Sequence, residues 1–293
     1  MSTTDLRASD DLASLEAGLD ALGQDDRHRR PGWRRWLSSV WPPVLAALLL
    51  LAVWQLAYRA RVKPPYALPS PHDVLTSLSG QVRRGDLQEA VWNSLRRAAL
   101  GFLASLAIGT PLGLLLGRVR PVRRAIGPLV SGLQSLPSVA WVPAAIIWFG
   151  LSDATIYFVV LMGAVPSVAN GMVSGLDQVP PLFARVGRVL GATGWSSARH
   201  VLLPAALPAY VGGLRQGWAF SWRSLMAAEL IARSPDLGLG LGQVLDTGRQ
   251  LSDMSMVFGA IASILVVGIA VELCLFAPLE RRVLRRRGLL PSS

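Results

Sequence analysis

Long apolar stretches without any charged residue alternate with short polar segments along this chain of 293 residues. Five such stretches occur, at residues 36–58, 98–117, 125–152, 154–176 and 254–271. A helix needs roughly 20 apolar residues to cross a lipid bilayer, whereas a buried helix of a soluble domain rarely needs that length. The pattern therefore predicts an all-α membrane protein.

The apolar pattern predicts six membrane-spanning helices, at about 41–58, 90–117, 125–149, 154–175, 207–231 and 255–277. The fifth is not among the charge-free stretches because it contains Arg215, Arg223 and Glu229. The predicted organisation is a polar tail (1–35), a first span with an outer loop (36–89), a core of spans (90–280) and a basic C-terminal segment (281–293). Within the core, a polar loop occupies about 176–206.

Glycines and prolines inside the predicted spans favour close packing and bent helices. Gly109, Gly113 and Gly117 form a small-residue stripe in the second span, which lets helix backbones approach each other closely. Pro137 and Pro143 interrupt the third span. Broken helices are tolerated in membranes where protein or a cavity satisfies the freed carbonyls, so this span is compatible with the lining of a pathway.

The distribution of basic residues predicts the orientation of the chain. With the N-terminus inside, the inner segments hold seventeen arginines and the outer segments hold seven basic residues. Basic residues concentrate in cytoplasmic loops, so both termini are predicted to be cytoplasmic. The flanking arginines account for the net charge of +11. Nothing resembles an aromatic and basic platform for nucleic acid, so the lipid bilayer, not nucleic acid, is the expected partner of these cations.

No recognisable catalytic or metal-binding motif occurs in the sequence. Its one cysteine, Cys274, lies in an apolar segment, and its three histidines fall in separate polar segments. A phosphate-binding P-loop needs a lysine after a glycine-containing turn. The only lysine, Lys63, is followed by Pro64, and no glycine stands directly before it. We therefore expect no catalytic residue, metal site or cofactor in this chain, and any ATP hydrolysis must occur in another chain.

One face of the predicted fifth span combines cations with tryptophans. Arg215, Trp218, Trp222 and Arg223 have the spacing of neighbours on a helix surface. An ionisable residue inside a span is a candidate for function, and a guanidinium can bind a planar oxyanion through two hydrogen bonds. These four residues are therefore candidates for an anion pathway. Alternatively, both arginines satisfy carbonyls of broken helices or pair with acidic side chains.

The acidic residues of the predicted spans have arginines nearby. Glu229 can pair with Arg233 one helical turn later, which favours a structural role, although Glu229 remains a pathway candidate. Glu272 lies near the cytoplasmic end of the last span, where it can extend to the interface or meet a neighbouring arginine.

The polar loop at about 176–206 has the pattern of two short helices. We predict a first helix at 182–190 that ends at Gly191 and a second at 195–203. Pro204 and Pro208 are expected to stop this helix and redirect the chain into the fifth span. Such a helical elbow suits docking into the groove of a partner; alternatively, the loop is only a connector, although a connector could be far shorter.

The elbow resembles the cytoplasmic coupling motif of ABC importer permeases, in the spacing from Gly191 to Val201, Leu203 and Pro204. That family's motif begins Glu-Ala-Ala, where this chain has Arg-Val-Gly at 185–187, so the acidic start is absent. The resemblance extends over about 68–290. Its other motifs, LPSPHDV, SLPSVAWVPAAIIWFG, VLGATGWSSARHVLLPAALP and WRSLMAAELI, look like the nitrate/sulfonate/taurine branch.

The resemblance implies a type I ABC importer permease fold in the bacterial inner membrane. It also implies a second permease chain, expected to be an identical copy, ATPase subunits that bind the ATP, and an extracytoplasmic solute-binding protein. The expected ATPase-coupling residues are Arg185, Arg188, Gly191, Ala192, Arg199, Leu203 and Pro204.

The expected substrate is a small oxyanion moved by alternating access, with an aliphatic sulfonate as first choice and nitrate or taurine as second. An integral membrane enzyme is the rival interpretation, but it would need convergent catalytic groups. A membrane receptor or scaffold is a further rival, but it would need neither the elbow nor the charged span.

Overall fold

The computed structural model describes residues 32–232 and 237–287, and every regular element in these two ranges is helical. The predicted polar tail lies almost wholly outside them. In chain order the helices are α1 (Gly32–Arg59), α2 (Pro71–Arg84), α3 (Asp86–Arg118), α4 (Arg120–Ser135), α5 (Val142–Phe149), α6 (Asp153–Asp177), α7 (Pro181–Val189), α8 (Gly194–Ser197), α9 (Leu203–Ile231), α10 (Leu241–Gln250), α11 (Met254–Val271) and α12 (Ala277–Arg286).

The chain divides into two units, at residues 1–63 and 64–293. The first contains α1, most of whose apolar residues from Trp41 onward are exposed. The second contains all the other helices. A 3₁₀ turn, Ser138–Trp141, joins α4 to α5, and π-helical turns precede α9 (Ala198–Leu202) and α12 (Glu272–Phe276).

Helix α6 forms the centre of the second unit and packs against α3 and α9. Glycines allow both contacts. A Cβ atom on Gly113 of α3 would lie 2.5 Å from the carbonyl oxygen of Ala169, and one on Gly171 of α6 would lie 2.6 Å from Cα of Gly213 in α9. Such distances leave no room for a side chain. The predicted glycine stripe of the second span is thus confirmed as a helix-packing surface.

The directions of these helices define two ends of the bundle. Helices α3 and α6 run parallel and α9 runs antiparallel to both, as the successive glycine contacts along the three helices show. We call the end with α7 and α8 the loop end, and the opposite end, where α3 and α6 begin and α9 ends, the distal end. Helix α10 packs on α9 and α11, and α2 packs on α11.

Within the part of the chain that the structure describes, three helical segments are long and apolar enough to cross a membrane: Asp86–Arg118, Asp153–Asp177 and Met254–Arg285. A fourth is obtained if the pair Arg120–Ser135 and Ser138–Phe149, bent by 97°, counts as one span. The prediction that prolines break the third span is confirmed by this bend. The total of six spans stays a prediction, since the apolar part of α1, Val44–Arg59, is shorter than these spans and α9 carries several charged and polar residues.

The expectation that Pro204 and Pro208 stop the helix is wrong. Helix α9 begins at Leu203 and continues through both prolines to Ile231. Pro204 lies in the first turn, where a missing N–H costs nothing because that group has no partner within the helix. Pro208 removes one hydrogen bond, but the surrounding helix continues.

Candidate functional site

The loop end contains a helical elbow made by α7, α8 and the start of α9. Helix α7 (Pro181–Val189) confirms the first predicted helix of the loop. Beyond it, Gly191 adopts a φ of +81°, a left-handed conformation in which glycine has no steric penalty. The N–H of Gly191 donates to the carbonyl of Arg188, and that of Ala192 donates to Gly187, at 3.0 and 2.8 Å. This pair of bonds is a Schellman motif, which fixes the direction of the turn.

Helix α7 presents apolar side chains to the outside of the unit. Val189 and Leu190 are 87% and 79% exposed, far above the exposure of a helix face that packs against its own chain. Leu182, Phe183 and Val186 are also exposed. A helix with a continuous exposed apolar face, next to arginines, is typical of a surface that a partner covers.

Contacts within the elbow and between the neighbouring helix ends hold the loop end together. A Cβ atom on Gly187 would lie 2.9 Å from Cγ2 of Val201, so α7 packs directly on the π turn before α9. Arg118, at the end of α3, donates to the carbonyl of Gly194 at 3.0 Å. Arg123 of α4 makes two bonds, of 2.8 and 2.6 Å, to the carboxylate of Asp177 at the end of α6.

The predicted coupling residues occupy different depths in this elbow. Arg185, Arg188 and Arg199 are exposed on its surface. Gly191 and Ala192 form the turn, as described above. Leu203 and Pro204 are half-buried and line two separate cavities at the base of the elbow, of about 420 and 800 Å³.

Three residues of the predicted arginine–tryptophan stripe, Trp218, Trp222 and Arg223, line one groove between α9, α10 and α11, whereas Arg215 is not part of its lining. Trp218 and Trp222 are each 7% exposed, stack with ring centroids 6.3 Å apart, and Trp218 packs edge-on against Phe102. Arg215 and Arg223 are exposed instead. Arg215 and Arg223 lie about 80° apart around a helix of 3.6 residues per turn, so the two arginines face different neighbours.

Each arginine of this span has its own contacts. Nε of Arg215 lies 2.5 Å from a carboxylate oxygen of Glu272, and its Nη1 lies 3.5 Å from Glu280. The prediction that Glu272 can meet a neighbouring arginine is thus confirmed. Arg223 donates to the carbonyl of Ala219 and lies 4.5 Å from the ring centre of Phe220. It also borders the groove of about 670 Å³ between α9, α10 and α11.

At the distal end, Glu229 is fully buried and pairs with an arginine that the sequence analysis did not identify. Nη1 of Arg97, in α3, lies 3.2 Å from Oε1 of Glu229. The hydroxyl of Ser94 donates to the same carboxylate, 2.7 Å from Oε2. The expected partner, Arg233, lies outside the described residues.

This pair extends into a network that joins three helices and the segment before α10. Nε of Arg97 donates to Asp153 of α6 at 3.0 Å, and its Nη2 donates to the carbonyl of Leu237. The N–H of Gly242 donates to Glu229 at 3.1 Å. The carboxylate thereby also binds the first turn of α10, where free N–H groups favour a negative charge.

Two glycines allow the backbone at the start of α10 to approach the carboxylate of Glu229 closely. A Cβ atom on Gly240 would lie 2.7 Å from the carboxyl carbon of Glu229, and one on Gly242 would lie 2.6 Å from its Cβ. Within the described residues no group of three or more His, Cys, Asp or Glu side chains could hold a metal ion.

Residues 109–285 match the family model described as the binding-protein-dependent transport system inner membrane component. The chain is 30% identical to the taurine transport system permease protein of Escherichia coli, over 87% of this chain and 93% of the relative. It is 29% identical to a putative aliphatic sulfonates transport permease protein of Bacillus subtilis, over 94% of this chain and 98% of the relative.

Among solved structures, a chain of the inward-facing MetNI methionine ABC transporter is similar in fold, with a TM-score of 0.57 and 22% identity over 67% of this chain and 95% of that one. The family match covers more than half of the chain and includes the elbow. The chain therefore belongs to the inner membrane components of binding-protein-dependent transport systems, the ABC importer permeases, whose ATPase is a partner subunit.

Proposed function

We propose that two copies of this chain form the membrane pathway of an ATP-driven importer that moves a small oxyanion by alternating access, an aliphatic sulfonate being the first choice. The relatives named for taurine and for aliphatic sulfonates support this choice, because taurine is itself an aminosulfonate. Taurine and nitrate are the alternatives. Under this proposal both termini are cytoplasmic, a binding protein docks at the distal end, and ATP is bound only by the partner subunits.

The observation that carries the proposal is the elbow with its exposed apolar helix α7. Its apolar side chains and arginines suit a groove with an acidic rim on an ATPase subunit. The turn at Gly191 is closed by hydrogen bonds, so the elbow keeps its shape under load. Beyond Gly191, α8 continues through the π-helical turn Ala198–Leu202 into α9 without interruption. A displacement of the elbow therefore reaches a helix that crosses the bundle.

The test uses the complex reconstituted in liposomes with its ATPase and binding protein. Uptake of radiolabelled ethanesulfonate, taurine and nitrate identifies the solute, and ATP hydrolysis reports coupling. Gly191→Val places a β-branched residue at a φ of +81°, which such residues rarely adopt. We expect uptake and solute-stimulated hydrolysis to fall at least tenfold.

The matched control is Gly80→Val in α2, where the nearest atom to a new Cβ is the end of a flexible arginine side chain, 3.5 Å away. Wild-type uptake and stimulated hydrolysis in Gly191→Val would contradict the coupling role of the elbow. A wild-type complex that imports none of the three solutes would contradict the proposed substrate class.

A further inference from the structure

A small polar cavity opens beside the buried network at the distal end. Its volume is about 230 Å³, and Asn93, Arg96, Arg97, Asp153, Tyr157 and residues 237–238 line it. Pockets for drug-sized ligands run from roughly 300 to 1,000 Å³, so this cavity has the size for a smaller solute. The other cavities described above are lined mainly by apolar side chains.

The walls of this cavity hold hydrogen-bonding groups that the fold does not use. A guanidinium has five N–H groups, and the bonds of Arg97 to Asp153, Glu229 and Leu237 engage three of them. Arg96 makes no hydrogen bond or ion pair within the described residues. The hydroxyl of Tyr157 likewise has no hydrogen-bond partner there.

The charges at the cavity favour an anion. Two guanidinium groups and one carboxylate line it, whereas Glu229 lies behind Arg97 and is fully buried. Asp153 binds Arg97 through Oδ1 only, and its side chain is 51% exposed. The cavity thus offers cationic donors together with one carboxylate oxygen available to a second group.

We propose that this cavity binds the oxyanion head of the transported solute at the distal end, with Arg96 as its principal donor and Asp153 as the residue that selects solutes carrying an amine. The inference rests on the proposed function. Arg97 is held by the network, so it presents its remaining N–H groups without the entropic cost of ordering a free arginine. An ammonium group on the solute binds the free oxygen of Asp153, so an aminosulfonate satisfies both charges.

The test measures equilibrium binding of radiolabelled taurine and ethanesulfonate to the permease–ATPase complex, without the binding protein, in a non-ionic detergent. Arg96→Gln should weaken binding of both solutes at least tenfold. Asp153→Asn keeps an oxygen that can accept from Arg97. It should weaken the binding of taurine at least fivefold, with little effect on the binding of ethanesulfonate. Arg83→Gln, an exposed arginine of α2, is the control and should bind both solutes as wild type does.

The two proposals fail in different ways. Two outcomes would contradict the solute-binding role of the cavity without contradicting the importer function. One is a wild-type complex that imports a sulfonate but binds neither probe in this assay; the other is an Arg96→Gln variant that binds both probes normally. Failure of the wild type to import any of the solutes would overturn the proposed substrate and the cavity with it. Displacement of the probe by phosphatidylethanolamine at concentrations far below those of unlabelled taurine that displace it would show a lipid headgroup site, and would overturn the assignment to the solute.

Discussion

Replacing Arg97 by Met should destabilise the permease far more than the same replacement at an exposed arginine. Arg97 is 6% exposed and Glu229 is fully buried, so Met at position 97 leaves a buried carboxylate without its cation. Ser94 and the N–H of Gly242 still bind the carboxylate, but neither carries a compensating charge. The side chain of Met fills much of the volume of the arginine, so a cavity contributes little to the effect.

The magnitude follows from the burial of the pair. Breaking a buried ion pair by removing one partner costs about 3–5 kcal/mol. For a unit of this size, 1 kcal/mol corresponds to about 2–4 °C in the unfolding midpoint. We therefore expect the midpoint to fall by about 6–20 °C. Asp153 adds little to this loss because water reaches about half of its side chain.

The assay is thermal unfolding of the detergent-solubilised permease–ATPase complex, followed by size-exclusion chromatography after heating. Arg223→Met is the matched control, because Arg223 is exposed and bonds only a backbone carbonyl of its own helix. The double variant Arg97→Met with Glu229→Gln removes both charges. It should therefore recover at least half of the decrease in the unfolding midpoint caused by Arg97→Met alone. Equal midpoints for Arg97→Met and Arg223→Met would refute the reasoning.

Three further predictions concern packing, capping and orientation. Gly113→Ala should reduce assembly of the complex severalfold, because the new methyl meets a backbone carbonyl of α6 at 2.5 Å, whereas Gly132→Ala, with nothing within 4 Å, should assemble normally. The capping hydroxyl of Ser70 lowers the pKa of Asp73, so Asp73→Asn should lower the unfolding midpoint above about pH 4, and the difference should vanish as the pH falls through the lowered native pKa. In a Cys274→Ser background, a membrane-impermeant maleimide should label Ser79→Cys in intact cells but Ser196→Cys only after permeabilisation; labelling of Ser196→Cys in intact cells would contradict the orientation.

Local signals were enough to predict the elbow. Pro181 starts α7 and Gly191 ends it, and both effects act within a few residues of the chain. The glycine stripe of α3 was also predictable, because its spacing alone places its members on one helix face. The capping box of α2, formed by Ser70 and Asp73, has an equally local pattern in SPHD, which the sequence analysis quoted only as part of a family motif.

The distal network could not be predicted in the same way. Arg97 and Glu229 are 132 positions apart, and helical spacing relates only residues within a turn or two. The rule that neighbours four apart pair led instead to Arg233. One signal was available: Ser94, Arg97 and Gly101 lie on one face of α3, and a glycine on the same face indicates that this face packs against another helix. Their partners nevertheless depend on how three helices and the segment before α10 meet.

The prolines of α9 show why a residue's position within a helix matters more than its identity. Proline was expected to end the helix that precedes it, but Pro204 lies in the first turn of α9. Before it, the π turn Ala198–Leu202 closes with a bond from the N–H of Leu203 to the carbonyl of Ala198, so the backbone is continuous from α8 into α9. The 29 residues of α9 span about 44 Å at 1.5 Å per residue. Under the proposed function, this continuous helix joins the elbow that meets the ATPase to Glu229 and the distal cavity, so one rigid element connects the two ends at which ATP and solute act.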